Sequence, residues 1–323
     1  MKDHCEKEKI KIGISSCLLG EKVRWDGGHK QNWYAREILG KFFDTIPVCP
    51  EVEVGMGVPR ETVHLIRGEE NFHRMVGTQT ATDWTQKMLG YSAGKIRELS
   101  SHGLNGFIFK KGSPSCGTSR IPVYSKSKTK INALGQGLFA HAFIQAFPLT
   151  PVEEEGRLND FKIRENFIVR VFGFHRLQTL FAEKFSRKDL ADFHTRHKFL
   201  LLSHSRKHYD ALGRLVAATK TMSPGELKSS YSQLFMDGLT FRSTAKKNTD
   251  VLLHMMGFLK KNLSGEEKQD ILATIEDYRQ ELVPLIVPIT LIRHHVKKHN
   301  IAYLLDQVYL NPHPKELMLR NHV

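Results

Sequence analysis

Three short apolar runs, each closing on a cysteine in a turn of small and cyclic residues, constrain this chain more than any other feature. IKIGISSC ends at Cys17, FDTIPVC at Cys49, and GFIFKK leads into the turn GSPSC at Cys116. Such runs read as β-strands bounded by turn residues. In an open α/β sheet, ligands bind beyond the carboxyl ends of the strands, so three such turns can converge on one point. Three thiolates meeting there form a soft donor set, suited to an iron–sulfur cluster or to zinc. Three protein ligands rather than four leave one metal position open for chemistry. The plain alternative is burial of ordinary free thiols. The settings ISSCLLG, VCPEVEVGMGVPRE and GSPSCGTS favour ligation, because small residues let the backbone approach a bulky inorganic group and donate N–H bonds to it.

Between these turns the first ~150 residues alternate strand-like and helix-like patterns in the manner of βαβ units. KIKIGIS, TIPVC and NGFIFKK read as strands. NWYAREILGKFF, DWTQKMLGYSAGKIRELSSHG and GLFAHAFIQAFP read as helices, the second ending at Gly103 and the last at Pro148. The expectation for residues 1–150 is a three-layer α/β domain with a mainly parallel sheet. PLTPVEEEGRLND contains two prolines and an acidic run, so residues 151–160 are expected to be a linker. Residues 161–323 then turn helical, with Ser223–Pro224 and Ser264 as helix-start signals, and predict an all-α domain of five to seven helices.

At 323 residues the chain has material for two cores, and its 40% hydrophobic and 25% charged composition is that of a globular protein. No apolar stretch approaches the ~18–20 residues of a membrane span. The charged N-terminus MKDHCEKEKIK lacks a signal segment, which points to the cytoplasm. There, widely spaced cysteines read as metal-binding or catalytic, not as a disulfide framework. Cys5, in that polar N-terminus, reads as a bystander. The net charge of +14 is spread over both halves: residues 1–150 hold 21 Lys and Arg against 14 Asp and Glu, and residues 161–323 hold 26 against 16. A polyanionic partner follows from that excess, with a solvated basic surface as the alternative.

Glu51 follows Cys49 by two positions and Ser113 precedes Cys116 by three. Near a metal they could serve as general base and as hydrogen-bond donor to a substrate; equally, Ser before Pro is ordinary turn chemistry. VRWDGGHK lacks the spacing of a P-loop and reads as a turn with a basic rim. Arg60 and Glu61 could pair with each other or touch substrate, and the sequence leaves both open. The C-terminal histidines His194, His197, His204, His208, His294, His295 and His299 form no HExxH and have Arg and Lys neighbours, which favours a basic helical face over a metal site. Arg196, Lys198, Arg206, Lys207, Arg293, Lys297 and Lys298 are the candidate RNA contacts on that face.

ISSCLLGEKVRWDGGHK, CPEVEVGMGVPRE and KKGSPSCG together resemble the thiouracil desulfidase (TudS) family across about residues 10–150. The helical half resembles, by length, helicity and fusion order, the YbgA-like domain fused to TudS in the RudS type of tRNA 4-thiouridine desulfidase. The resemblance implies a 4Fe–4S cluster held by Cys17, Cys49 and Cys116, with one iron free of protein ligands to take the thiocarbonyl sulfur. It also implies that Glu51 and Ser113 contact the thiolated base. The expected reaction is hydrolytic and non-redox: 4-thiouridine in tRNA, or a small thiouracil or thionucleotide, plus water gives uridine and hydrogen sulfide, with no electron carrier. The competing expectation is an RNA-binding protein whose three cysteines hold structural zinc or a redox-sensing cluster, with His29 the one nearby fourth ligand. Sulfur insertion would need an activating ATP site, and no P-loop is present.

Overall fold

The computed structural model describes residues 10–68, 73–125, 129–182 and 184–322, which fall into two compact units, Met1–Asn159 and Asp160–Val323. In the first unit the chain runs β1 (Ile10–Ser15), β2 (Phe43–Val48), α1 (Pro50–Glu53), β3 (Val63–Arg67), β4 (His73–Gly77), α2 (Thr85–Ser100), β5 (Gly106–Phe109), β6 (Ile121–Tyr124), β7 (Lys130–Gly135), α3 (Leu138–Ala146) and β8 (Val152–Glu154). One sheet has the order β2-β1-β5-β8, and every neighbouring pair in it is parallel. β5 is buried at every position and β1 at all but Lys11, the continuous apolar pattern of strands covered on both faces.

What covers them is aromatic. Phe107 and Phe109, two residues apart on β5, share a face and stack at 4.1 Å. Phe143 of α3 meets them edge-on at 4.8 and 5.6 Å. Burying one such ring contributes roughly 1.5–3 kcal/mol, so this cluster anchors α3 to the sheet.

The α/β domain with a mainly parallel sheet is as expected, with three differences. Residues 152–154, expected in the linker, form the edge strand β8, because without them β5 would present unpaired backbone groups; Phe107 lies opposite Val152. The expected helix at NWYAREILGKFF is a π turn at Tyr34–Ile38 followed by a 3₁₀ turn at Leu39–Lys41, since the chain must already be extended at Phe43 to enter β2. A second, mixed sheet, β4-β3-β6-β7, went unread; its strands are four to six residues long and carry charged or polar residues such as His64, Arg67 and Arg74 among the apolar ones.

The second unit is helical: α4 (Phe161–Ala182), α5 (Arg187–His204), α6 (Arg206–Ala217), α7 (Pro224–Thr240), α8 (Ala245–Leu259), α9 (Gly265–Arg279), α10 (Ile286–Lys298) and the single turn α11 (Ala302–Leu305). Capping boxes start three of them, Ser186 with Asp189, Ser223 with Glu226 and Ser264 with Glu267, so reciprocal hydrogen bonds satisfy the first free N–H groups. Leu200, Phe235, Leu252, Ile275 and Ile292 are among the buried apolar residues that these helices enclose.

Candidate active site

Because β2, β1 and β5 are adjacent and parallel, their carboxyl ends open on one edge of the sheet. Cys17 sits in the 3₁₀ turn Ser16–Leu19 directly after β1, Cys49 is the N-cap of α1 directly after β2, and Cys116 lies in the loop beyond β5. All three are free thiols and line one cavity of about 330 Å³, together with Glu51, Arg60, Lys110, Ser113 and Ser115. Glycine makes the third turn possible. A Cβ on Gly137, at the start of α3, would stand 2.6 Å from the Ser115 carbonyl, so only glycine lets the helix close on the cysteine loop.

Burial dominates the chemistry of the thiols. It pushes Cys17 up to about 11, with the neighbouring Cys49 adding to the shift and Lys110 and Arg24 opposing it. Cys116 is pushed up further by burial and by the Glu51 carboxylate, and Cys49 is raised by burial, with Glu51 among the lesser causes. Left to themselves the three stay protonated. A bound soft cation supplies the charge that turns such thiols into thiolates, so the donor set fits a cluster or a thiophilic metal. His29, the fourth ligand that a closed structural site would need, is exposed and outside the cavity lining, with its Nδ1 accepting the Gln31 N–H at 3.2 Å.

Glu51 occupies the second position of α1, and its side chain is 14% exposed. Oε2 accepts from Arg60 Nε at 3.1 Å and a terminal Arg60 nitrogen at 2.7 Å; Oε1 lies 3.0 Å from Ser113 Oγ and 2.7 Å from Ser115 Oγ. Arg60 is fixed in turn by the carbonyls of Val23 and Gly57. Ser113 Oγ accepts the backbone N–H groups of Ser115 and Cys116, both at 3.2 Å, and gives its own proton to Glu51 Oε1 at the cavity wall. Turn capping and an inward-facing hydroxyl, alternatives in the sequence, are thus one geometry. Arg60 pairs with Glu51 and not with Glu61, which instead accepts the backbone N–H groups of Gln79 and Thr80.

Two contributors escaped the sequence reading. Ser115 is fully buried and reaches both Glu51 and, at 3.6 Å, the Cys116 sulfur. Lys110 pairs with Glu155 at 2.5 Å, and its N–H donates to Ser15 Oγ at 2.9 Å, fastening the end of β5 to the end of β1. The one available signal was the Ser-Pro-Ser repeat before Cys116. The VRWDGGHK segment is a turn, closed by the Gly27 N–H to the Arg24 carbonyl at 3.0 Å, and Arg24, Trp25 and Lys30 from it line the cavity. Cys5 lies outside the described residues.

The structure does not gather the C-terminal histidines on a basic face. His194, His197, His204 and His295 are buried. Desolvation pushes His194 and His204 down to about 4 and His197 to about 3, so they are neutral core residues. Of the candidate RNA contacts, Arg196 and Lys198 lie on α5, Arg206 and Lys207 on α6, and Arg293, Lys297 and Lys298 on α10. Arg206 pairs with Asp210 at 3.3 Å and Lys298 with Glu267 at 2.8 Å.

A family model described as 2-thiouracil desulfurase matches residues 12–155, a span that takes in all three cavity cysteines, Glu51 and Ser113. The chain is 30% identical over 153 residues to the uncharacterized protein YbbK of Bacillus subtilis (strain 168), covering 98% of that protein and 46% of this chain. The first half of this chain belongs to the 2-thiouracil desulfurase family. The helical half carries a different match, to a model described as a protein of unknown function (DUF1722), over residues 198–314. The uncharacterized protein YbgA of Escherichia coli (strain K12) is 28% identical over 158 residues, covering 94% of that protein and 49% of this chain. Among solved structures, the [4Fe-4S]-dependent thiouracil desulfidase TudS matches at 26% identity and a TM-score of 0.37, covering 49% of this chain and 98% of that one. No helix among the described residues of this desulfurase-family chain is long and apolar enough to cross a membrane.

Proposed function

We propose that the α/β unit is a 4Fe–4S-dependent desulfidase that hydrolyses the thiocarbonyl of a thiolated uracil, and that its substrate is 4-thiouridine in tRNA. The observation that carries the reading is a single cavity holding three free cysteines, two buried and one partly so, beside a glutamate clamped by Arg60 and two serines. Cys17, Cys49 and Cys116 would hold the cluster, and with three protein ligands it supplies a Lewis acid toward the thiocarbonyl sulfur. The chain supplies the rest. Ser113 turns the proton it otherwise gives Glu51 Oε1 toward the base and fixes its orientation. Glu51, at the cavity wall, orients the attacking water and takes its proton. Trp25, 45% exposed on the rim, offers a face for stacking, and Arg24 and Lys30 beside it suit a phosphate. Water provides the oxygen and protons, sulfide leaves as hydrogen sulfide, and no electrons are transferred overall. The excess of basic residues in both halves supports a polynucleotide over a free base.

Anaerobically reconstituted protein mixed with thiolated tRNA tests this, by loss of thionucleoside absorbance together with sulfide release. Turnover without added reductant is expected, and a stoichiometric demand for one would overturn the hydrolytic reading. Zinc with no iron, lost when Cys17, Cys49 and Cys116 are replaced, would instead favour a structural site. Turnover of free thiouracil alone would remove the tRNA assignment and leave the desulfidase.

A further inference from the structure

The helical half contains a second convergence of ligand-type side chains that desulfuration does not use. Glu267, His295 and His299 each bring one donor atom to within 4.8 Å of the others. His295 lies in the last turn of α10 and His299, four residues on, is its C-cap, so the two side chains leave the same side of the helix end. Their rings lie parallel within 8° at 6.2 Å. Glu267 stands in the first turn of α9, where its Oε2 accepts the Ser264 N–H at 2.8 Å and its Oε1 lies 3.9 Å from His295 Nδ1.

Two of these atoms are out of place in a purely structural cluster. His295 is 6% exposed, and its Nδ1 is buried without a hydrogen-bond partner; the same holds for His299 Nε2. Folded proteins pair nearly all buried polar atoms, so unpaired nitrogens on two imidazoles that converge with a carboxylate point to an absent ligand. The last turn of α10 adds the negative end of a helix dipole, which favours a cation. The ammonium of Lys298, 2.8 Å from Glu267 Oε1, already holds part of that place.

We propose that Glu267, His295 and His299 form a binding site for a divalent transition-metal ion of the zinc class, tying the start of α9 to the end of α10. Two imidazoles and one carboxylate suit zinc or cobalt, whereas calcium and magnesium take oxygen ligands. Metal–donor bonds of ~2.0–2.2 Å require the donors to close by side-chain rotation, and the entering ion displaces the Lys298 ammonium from the carboxylate. With three protein ligands, a tetrahedral ion keeps one position for water or an exogenous anion. The flanking Arg293, Lys297 and Lys298, which argued against a metal in the sequence, do not share the burial of His295: Lys297 and Lys298 are exposed.

The test uses the full chain with Cys17, Cys49 and Cys116 replaced by Ser, so that the cavity thiols cannot bind the metal, and follows Zn²⁺ by equilibrium dialysis. One equivalent is expected. His299→Ala should weaken binding at least ~10-fold, since such a ligand is worth more than one decade of affinity, and Lys298→Gln should strengthen it by removing the competing cation. Co²⁺ should give visible bands without thiolate charge transfer. If the triple variant fails to fold, the same Co²⁺ titration on the cluster-loaded native chain and its His299→Ala counterpart decides the question. An affinity no better than ~1 mM, or equal binding with and without His299, overturns the site. Neither outcome bears on desulfuration, which involves other residues.

Discussion

At the scale of single residues, the cavity is a set of commitments made by hydrogen bonds. Replacing Cys17, Cys49 or Cys116 singly by Ser substitutes a hard oxygen for a soft ligand, so each variant should lose both cluster absorbance and sulfide release. Full activity in any one of them would remove it from the ligand set. Glu51→Gln keeps the shape but cannot take a proton, and kcat should fall ~10²–10⁴-fold with iron content unchanged. A colourless Glu51→Gln protein would show that the carboxylate acts through Arg60 and the fold. Ser115→Ala removes a fully buried donor from Glu51, a loss of about 1–3 kcal/mol in unfolding free energy, read as a lower denaturant midpoint at constant slope.

At the scale of elements, the turns decide what the strands deliver. Gly137→Ala forces the start of α3 away from the Ser115 carbonyl, 2.6 Å from the new methyl. Because Leu138 N–H donates to the Pro114 carbonyl and Ala140 N–H to that of Ser115, the strain passes directly into the Cys116 loop. That variant should fold at a cost of about 1–3 kcal/mol and show lowered cluster occupancy on reconstitution. The buried histidines of α5 predict an acid weakness in the helical unit. Burial holds His204 at about 4 against an ordinary 6.5, with Arg320, Lys247 and Arg170 opposing its charge and the Phe241 carbonyl favouring it. Above 6.5 both folded and unfolded chains carry it neutral, and its contribution is complete. Between 6.5 and about 4 only the unfolded chain takes up the proton, so stability falls as pH falls through that window. Urea midpoints of the helical transition at pH 7 and pH 5 should differ in that direction, and a flat profile would contradict the burial of these rings.

At the scale of the whole molecule, the two halves divide chemistry from affinity in the proposed function. A thiolated base in folded tRNA must be unstacked to reach the cavity, at a cost of a few kcal/mol that binding to the phosphates offsets. Neutralising Arg196, Lys207 and Lys297, which are exposed on three helices, should weaken tRNA binding. It should also flatten the dependence on log salt, by about one unit for each phosphate that no longer meets a cation. Turnover of a small thiouracil should be unchanged in the same protein. Unchanged tRNA affinity in that variant would move the RNA surface to the first unit.

What the sequence determined by itself was local: the three strand–turn–cysteine units, the Ser223 and Ser264 caps, and the switch from strand period to helix period near residue 160. Each of these depends on residues a few positions apart, where backbone preference and capping geometry act directly. The mixed sheet β4-β3-β6-β7 stayed hidden because strands of four to six residues gain stability only from partners distant in the chain. The clamp on Glu51 joins residues 9, 62 and 64 positions away, and spacing alone left Arg60 equally open to Glu61. The histidines were misread for the same reason. Their Arg and Lys neighbours in sequence suggested a solvated face, yet burial turns on which side of a helix a residue occupies and what packs against that side. Only the tertiary structure supplies that, since desolvation, which keeps His197 and His204 neutral and the three cavity thiols protonated, is a property of packing.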